Sequence, residues 1–431
     1  MNYNTTAFLP PAPAKMRGPR RIGVMGAFLL TCSLVGCEGL LDVTLPGDIP
    51  ADLIADPQLA QTLGTSVQNS FECYFTNYAG GSGVFTDEFI TGSQRAGRER
   101  WDDRSTDGTG EGTCRQETWA VAGPGYQALA FGRDVTKQVE AWTDAEVPDR
   151  QALIAKVAAY TGYTIETMAE GFCRGVVLED LGALADKATA HAAAEGYFTK
   201  AITAAASGST YYNLALVGRA RARLNRGDKP GAIADANAVP AGFSFDATYG
   251  TVTDRENVAS TENWRDRQFS VGTGYRNLTV GGVVDPRVLL KDQGYYGIDG
   301  QTPIWSTMKY PAVNSPIRLA SWNEAQLIVA EASLGQEAVD RINAVRGLYA
   351  GLPLFVPVDV NDATEIFGQV MEERQRELSF EGHRLGDLTR NETWAKAGQW
   401  EEGLSHLGAA WVGRYCLPFP QSEIDVNPNI D

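Results

Sequence analysis

The stretch VMEERQRELSFEGHRLGDLTR, residues 370–390, sets five acids and four arginines among leucines and a phenylalanine. Its apolar spacing is helical: at about 100° per residue, Ile366, Phe367, Val370, Met371 and Leu378 fall on one side. Asp362, with Glu365 three positions on, predicts an N-cap and capping box, and Gly382 predicts a stop. On that wheel Arg374, Glu377 and Glu381 project into the apolar arc, whereas Glu372, Gln375, Arg376 and Ser379 project to solvent. Charges inside an apolar arc must be paired and hydrogen-bonded. Arg374 can reach Glu377 one turn on, and Arg384 or Arg390 can return from beyond Gly382. The expectation is a structural ion network of Arg374, Glu377, Glu381 and Arg384 that locks a helix and turn in place. The competing reading is a carboxylate pair, Glu377 and Glu381, for acid–base chemistry. The matching arginines favour the network.

The pairs Glu373-Arg374, Glu377-Leu378, Glu381-Gly382 and Asp387-Leu388, with Arg384 and Arg390, form the pattern ER-x-x-EL-x-x-EG-x-R-x-x-DL-x-R. This resembles the carboxy-terminal signature of the SusD/RagB family. The tail CLPFPQSEIDVNPNID (416–431) is similar to that family's ending, and LASWNEAQLIVAEASL (319–334) and VDRINAVRGLYAGLP (339–353) to its preceding helices. VVDPRVLL (283–290) and Lys309-Tyr310 fit the segment before those. The likeness is detailed over the last third of the chain and rests only on helix pattern before it. It implies a mostly α surface lipoprotein that binds a nutrient, often a glycan, and passes it to a SusC-like TonB-dependent outer-membrane transporter. It implies no enzyme activity, cofactor or nucleic-acid partner.

The amino terminus carries its own signal. Lys15, Arg17, Arg20 and Arg21 precede the apolar run IGVMGAFLLTCSLVG (22–36), which is too short to favour a membrane span. It ends in LVGC, which resembles a lipoprotein cleavage box with Cys37 as the lipidated residue. Residues 1–36 are therefore expected to be a signal peptide and 37–50 a tether. The next expected regions are a helical, tetratricopeptide-like 51–240 and a carboxy-terminal 241–431 with inserted loops. The expected location is the outer membrane, lipid-anchored, facing the exterior. The chain carries −16, and loss of four basic residues with the leader leaves −20. That balance argues against nucleic acid and against anionic lipid as a charge partner.

Only His191, His383 and His406 occur, which argues against a histidine zinc site or a Ser-His-Asp triad. Cys73, Cys114, Cys173 and Cys416 remain after the leader. Four cysteines allow three pairings, of which 73–114 with 173–416 is preferred because Cys73 and Cys114 flank one polar segment. Asp103, Ser105, Asp107 and Gly108 loosely match the opening of a calcium loop. Cys114 stands where a bidentate glutamate belongs, so no metal is expected.

Expected helices cover about 51–70, 126–142 and 150–172, with 75–118 a long polar loop. Ala194, Phe198 and Ala201 have the spacing of a tetratricopeptide second helix, and Gly227-Asp228 with Ala232 suggests the next unit. The helices around Ala330 and Val345 are further candidates. Residues 240–316 suggest loops and short strands. Trp101, Tyr295, Tyr296 and Trp305 are expected to line one exposed ligand cleft, with Asp102, Arg104 or Asp299 as hydrogen-bonding partners, because aromatic faces and nearby polar groups suit sugars. Trp264 and Tyr275 are weaker candidates. The alternatives to a nutrient-binding protein are a helical scaffold that binds only protein and a glycan hydrolase using Glu377 and Glu381.

Overall fold

A computed structural model describes residues 54–106, 121–400 and 403–430. Cys37, Asp107, Gly108 and Cys114 lie outside these, so the lipidation, the calcium-loop pattern and the partner of Cys73 remain expectations. Cys73 itself is disulfide-bonded.

The protein is mostly helical. Its main helices are α1 (Ala60–Phe85), α2 (Ala96–Asp102), α3 (Ala122–Ala141), α4 (Arg150–Gly171), α5 (Lys187–Ala204), α6 (Thr210–Asn225), α7 (Lys229–Ala238), α8 (Trp322–Ser333), α9 (Gly335–Arg346), α10 (Ala363–Glu377) and α11 (Arg384–Arg390). Five antiparallel pairs of short strands join them: β1 (Phe89–Thr91) with β5 (Phe269–Val271), β2 (Val176–Val177) with β3 (Leu184–Ala185), β4 (Ser244–Ala247) with β10 (Ile317–Ser321), β6 (Thr279–Val280) with β7 (Val283–Val284), and β8 (Leu290–Tyr296) with β9 (Pro303–Thr307). The described residues form one compact unit, in which α8 packs on α6 and α7.

Capping fixes where the repeat-like helices start. The side chains of Asp186, Ser209, Asp228 and Ser321 each accept a hydrogen bond from a first-turn amide of α5, α6, α7 and α8. Ala194, Phe198 and Ala201 are fully buried, as the repeat spacing requires. Phe198 is pinched between two helices: a Cβ on Gly162 of α4 would sit 2.8 Å from its ring, and one on Gly218 of α6 only 2.4 Å away. Those glycines let three helices close on one aromatic knob. Gly227 takes the left-handed turn, with φ 78°, and Ala232 is fully buried behind it.

The first helix departs from expectation. It runs through NYAGGSGVF to Phe85, where glycine content suggested a loop. In this buried helix the glycines are contact points: the ring of Trp101 lies 3.0 Å from where a Cβ on Gly81 would be, and that of Phe89 the same distance from one on Gly83. Close packing offsets the intrinsic cost of helical glycine. Phe71, Tyr74, Phe75 and Tyr78 on the same helix are buried, and Phe71 stacks on Phe75 with centroids 5.3 Å apart.

In the signature helix α10, Asp362 caps the amides of Thr364 and Glu365 as expected. Glu365 does not complete a capping box; it accepts from the amides of Val358 and Asp359 instead, tying down the incoming loop. The helix ends at Glu377, before Gly382, and Phe380 (φ 65°) and Gly382 (φ 81°) turn the chain toward α11. Arg376 and Ser379 are buried, not solvated. The wheel missed this because segment 279–287 covers that side: Arg376 donates to the Thr279 carbonyl and pairs with Asp285.

Candidate functional site

The signature charges are built into the body, but not as one network. Arg374 holds Asp387 through two hydrogen bonds of 2.9 and 2.7 Å, and Arg390 bridges Asp387 to Glu331. Burial pushes the Asp387 carboxyl up, but the Arg374 and Arg390 guanidiniums outweigh it and hold it well below the usual range. Glu377 does not meet Arg374. It accepts from Asn323 at 2.6 Å and Tyr349 at 2.8 Å. Glu381 takes the Lys309 ammonium at 2.8 Å, and that ammonium also donates to the carbonyls of Glu377 and Ser379. Arg384 forms no ion pair among the described residues; its guanidinium lies 5.7 Å over the Trp394 ring. Glu373, assigned to neither side of the wheel, is fully buried between Arg287 and Arg346. Helical spacing placed the charges inward, but the partners came from other elements. With Glu377 and Glu381 both buried and bonded to protein donors, their arrangement is that of braces rather than an open carboxylate pair.

The aromatic residues expected to form a single cleft divide between core and surface. Trp101 is buried at 2% exposure, on a helix, with its ring against Gly81. Asp102 is buried too. It accepts from the Thr91 amide at 2.8 Å and lies 3.3 Å from His406 Nδ1, while His406 Nε2 meets the Thr91 carbonyl at 2.6 Å. Both imidazole nitrogens therefore face acceptors, an environment that calls for the doubly protonated ring. Burial works against that charge, but Asp102 outweighs it and His406 is raised. Arg104 is likewise internal: it pairs with Asp87 and lies 4.8 and 5.0 Å over the rings of Trp400 and Trp411. Asp299 spends its carboxylate on its own turn, accepting from the amides of Gln301 and Thr302 and from the Thr302 hydroxyl. These four residues knit loops together and leave the exposed positions to others. A polar loop around a tryptophan was read as surface, whereas the polar residues here satisfy one another inside.

The β8–β9 hairpin carries the exposed rings. Trp305 pairs with Asp292, and Tyr296 with Pro303, so by strand alternation these four share one face. The opposite face, with fully buried Ile304 and Ser306, packs on the body. Tyr296 is 58% exposed and Trp305 half-buried. Arg276 lies 5.5 Å over the Trp305 ring, held by hydrogen bonds to the Val271 carbonyl and the Ser270 hydroxyl. Tyr295, half-buried, stands under Arg267 at 5.4 Å instead. Trp264 hydrogen-bonds the Thr307 carbonyl with Lys291 above its ring, and Tyr275 is buried. Arg276 and Asp292 were missed from sequence, because only the hairpin register brings Asp292 beside Trp305, and only the hold of Ser270 and Val271 brings Arg276 there. The hairpin does meet the amino-terminal segment, but through backbone and not through Trp101: the Asp299 amide donates to the Gly92 carbonyl at 3.1 Å. The face therefore offers one indole, one phenol, a fixed guanidinium and a carboxylate, which suits stacking and hydroxyl recognition.

Among the described residues no helix is long and apolar enough to cross a membrane. Cys173 and Cys416 form a disulfide, with Cα atoms 5.1 Å apart.

Residues 317–431 match the SusD family. No curated protein matches the sequence. Among solved structures, a SusD-like carbohydrate binding protein from Bacteroides vulgatus superposes with a TM-score of 0.63 at 14% identity, covering 87% of this chain and 97% of its own. A surface glycan-binding protein A from Bacteroides thetaiotaomicron, in complex with laminarihexaose, gives 0.64 at 13% identity, covering 86% and 98%. A laminarin binding SusD-like protein gives 0.59 at 16%, covering 87% and 98%.

Proposed function

We propose that this chain, whose residues 317–431 match the SusD family and whose fold is shared with SusD-like proteins, is a cell-surface glycan-binding protein that hands its ligand to a SusC-like TonB-dependent transporter. The observation that carries the binding half is the outward face of β8–β9. There Tyr296 and Trp305 share one side of a hairpin whose other side is buried, and Arg276 is anchored over the indole. Aromatic faces cover the apolar side of a sugar ring, and the guanidinium and Asp292 supply donors and acceptors for its hydroxyls. The anchor in this reading is Cys37, supported by the basic, then apolar leader before it.

Titration with laminarihexaose and other oligosaccharides tests the face, laminarihexaose first because a protein of this fold is known in complex with it. Tyr296→Ala and Trp305→Ala should each weaken binding by about 1–3 kcal/mol, by analogy with base–aromatic stacking. Tyr296 is 58% exposed, so its removal should leave the melting temperature unchanged. Unchanged affinity in both variants rejects the face. Fatty-acid labelling that persists in Cys37→Ser rejects the anchor. Delivery is tested by co-purification: recovery of a TonB-dependent barrel with the tagged, lipidated protein supports it, and recovery of none rejects it.

A further inference from the structure

A second cleft, of about 360 Å³, is lined by Gly274, Leu278, Gly368, Glu372, Arg376 and Trp394, with Gln375 and Gln399 completing it, none of them a residue of the hairpin. Its chemistry is specific. Trp394 is half-buried and fixed in place, its ring edge-on to Phe367 at 5.7 Å and covered on one side by the Arg384 guanidinium. Its indole Nε1 makes no hydrogen bond among the described residues, and neither does the Gln399 side-chain amide. The only charged groups in the lining, Glu372 and Arg376, are paired with each other. The lining therefore holds its own charges in pairs, with an aromatic wall and neutral donors and acceptors that the protein leaves unused. A neutral polyhydroxyl ligand finds a platform and hydrogen-bonding partners there. The space is open: a Cβ added to Gly274 or to Gly368 meets nothing within 4 Å.

The cleft also adjoins the hairpin face. Gly274 and Leu278 flank Arg276, the residue over Trp305, and two residues of chain span at most about 7 Å. Segment 274–278 thus lines the cleft that holds Trp394 and carries the guanidinium over Trp305.

We propose that the Trp394 cleft is a second saccharide subsite, filled by a neutral oligosaccharide long enough to extend beyond the hairpin face. This rests on the reading of that face as a glycan site. The test uses the protein labelled with fluorotryptophan, its indole signals assigned by single Trp→Phe variants and followed by fluorine NMR. The probes are laminari-, malto-, cello-, xylo- and manno-oligosaccharides of graded length. The expected result is that sugars which move the Trp305 signal also move the Trp394 signal once they exceed a threshold length. Gly368→Phe, which places a ring into open space from the surface of α10, should abolish the Trp394 shift. It should also weaken the longer sugars roughly 10-fold while sparing the shorter ones. Gln399→Ala should weaken the same long sugars without altering the fold, which guards against Trp394→Ala failing through lost packing. A Trp305 shift with no Trp394 shift at any length overturns the second subsite alone. A Trp394 shift without a Trp305 shift keeps the cleft and rejects the hairpin face. No response from either indole to any of these sugars rejects both.

Discussion

At the scale of single residues, the buried charges make the sharpest predictions. Glu88 is fully buried; one carboxylate oxygen accepts from the Phe380 amide at 2.8 Å and the other has no partner among the described residues. Burial raises it from 4.5 to about 7; the Phe380 amide, Arg384 and Lys309 oppose the rise and Glu381 adds to it. A raised acid pKa means that the native state prefers the neutral carboxyl. Its contribution to stability is therefore complete below the unfolded pKa and is lost as pH climbs from about 4.5 through about 7. Full ionisation costs on the order of 3 kcal/mol. Glu88→Gln should flatten that part of the stability–pH curve and raise stability at pH 8, measured by urea unfolding across the range; an unaltered curve contradicts the assignment. His406 acts in the same sense, because its raised pKa also makes its contribution fade as pH rises. Glu373 predicts the opposite response to neutralisation. It sits between Arg287 and Arg346, and Glu373→Gln strands buried guanidinium charge, so a loss of about 3–5 kcal/mol is expected from chemical unfolding. A change below measurement error would mean that the braces are not stabilising as arranged.

At the scale of elements, small residues decide how closely the helices approach. Gly218→Ala on α6 would drive a methyl group to 2.4 Å from the Phe198 ring, and overpacking of that kind costs about 1–3 kcal/mol. Gly196→Ala on α5 is the internal control: nothing lies within 4 Å of the added Cβ, so relief of helical glycine should stabilise by about 0.5–1 kcal/mol. Thermal melts of the pair should move in opposite directions; movement in the same direction would show that helix propensity, not close approach, governs these sites. The repeat spacing of Ala194, Phe198 and Ala201 was legible because it is local and periodic. The continuation of α1 through Gly80 to Gly83 was not, because those glycines are tolerated only where Trp101 and Phe89 press against them.

At the scale of the whole molecule, the Cys173–Cys416 bridge ties the end of α4 to the carboxy-terminal segment across a sequence separation of 243. The Phe172–Leu417 backbone bridge reinforces it. Closing so long a loop restricts the unfolded chain by about 5 kcal/mol in the entropic model. Cys173→Ser with Cys416→Ser should lower the denaturant midpoint by an amount equivalent to a few kcal/mol, and no shift would place the crosslink outside the cooperative unit. The sequence by itself determined the helical class, the inward projection of Arg374, Glu377 and Glu381, the family resemblance and the loops and short strands of 240–316, because each is written in local spacing or in a contiguous motif. Tertiary structure alone decided who pairs with whom. Arg374 finds Asp387 and Glu331, Glu381 finds Lys309, and Trp101 turns into the core while Tyr296 stays out. The reason is physical: a helical wheel reports which side of an element is covered, but burial cost is settled by the donors and rings that distant segments bring to that side.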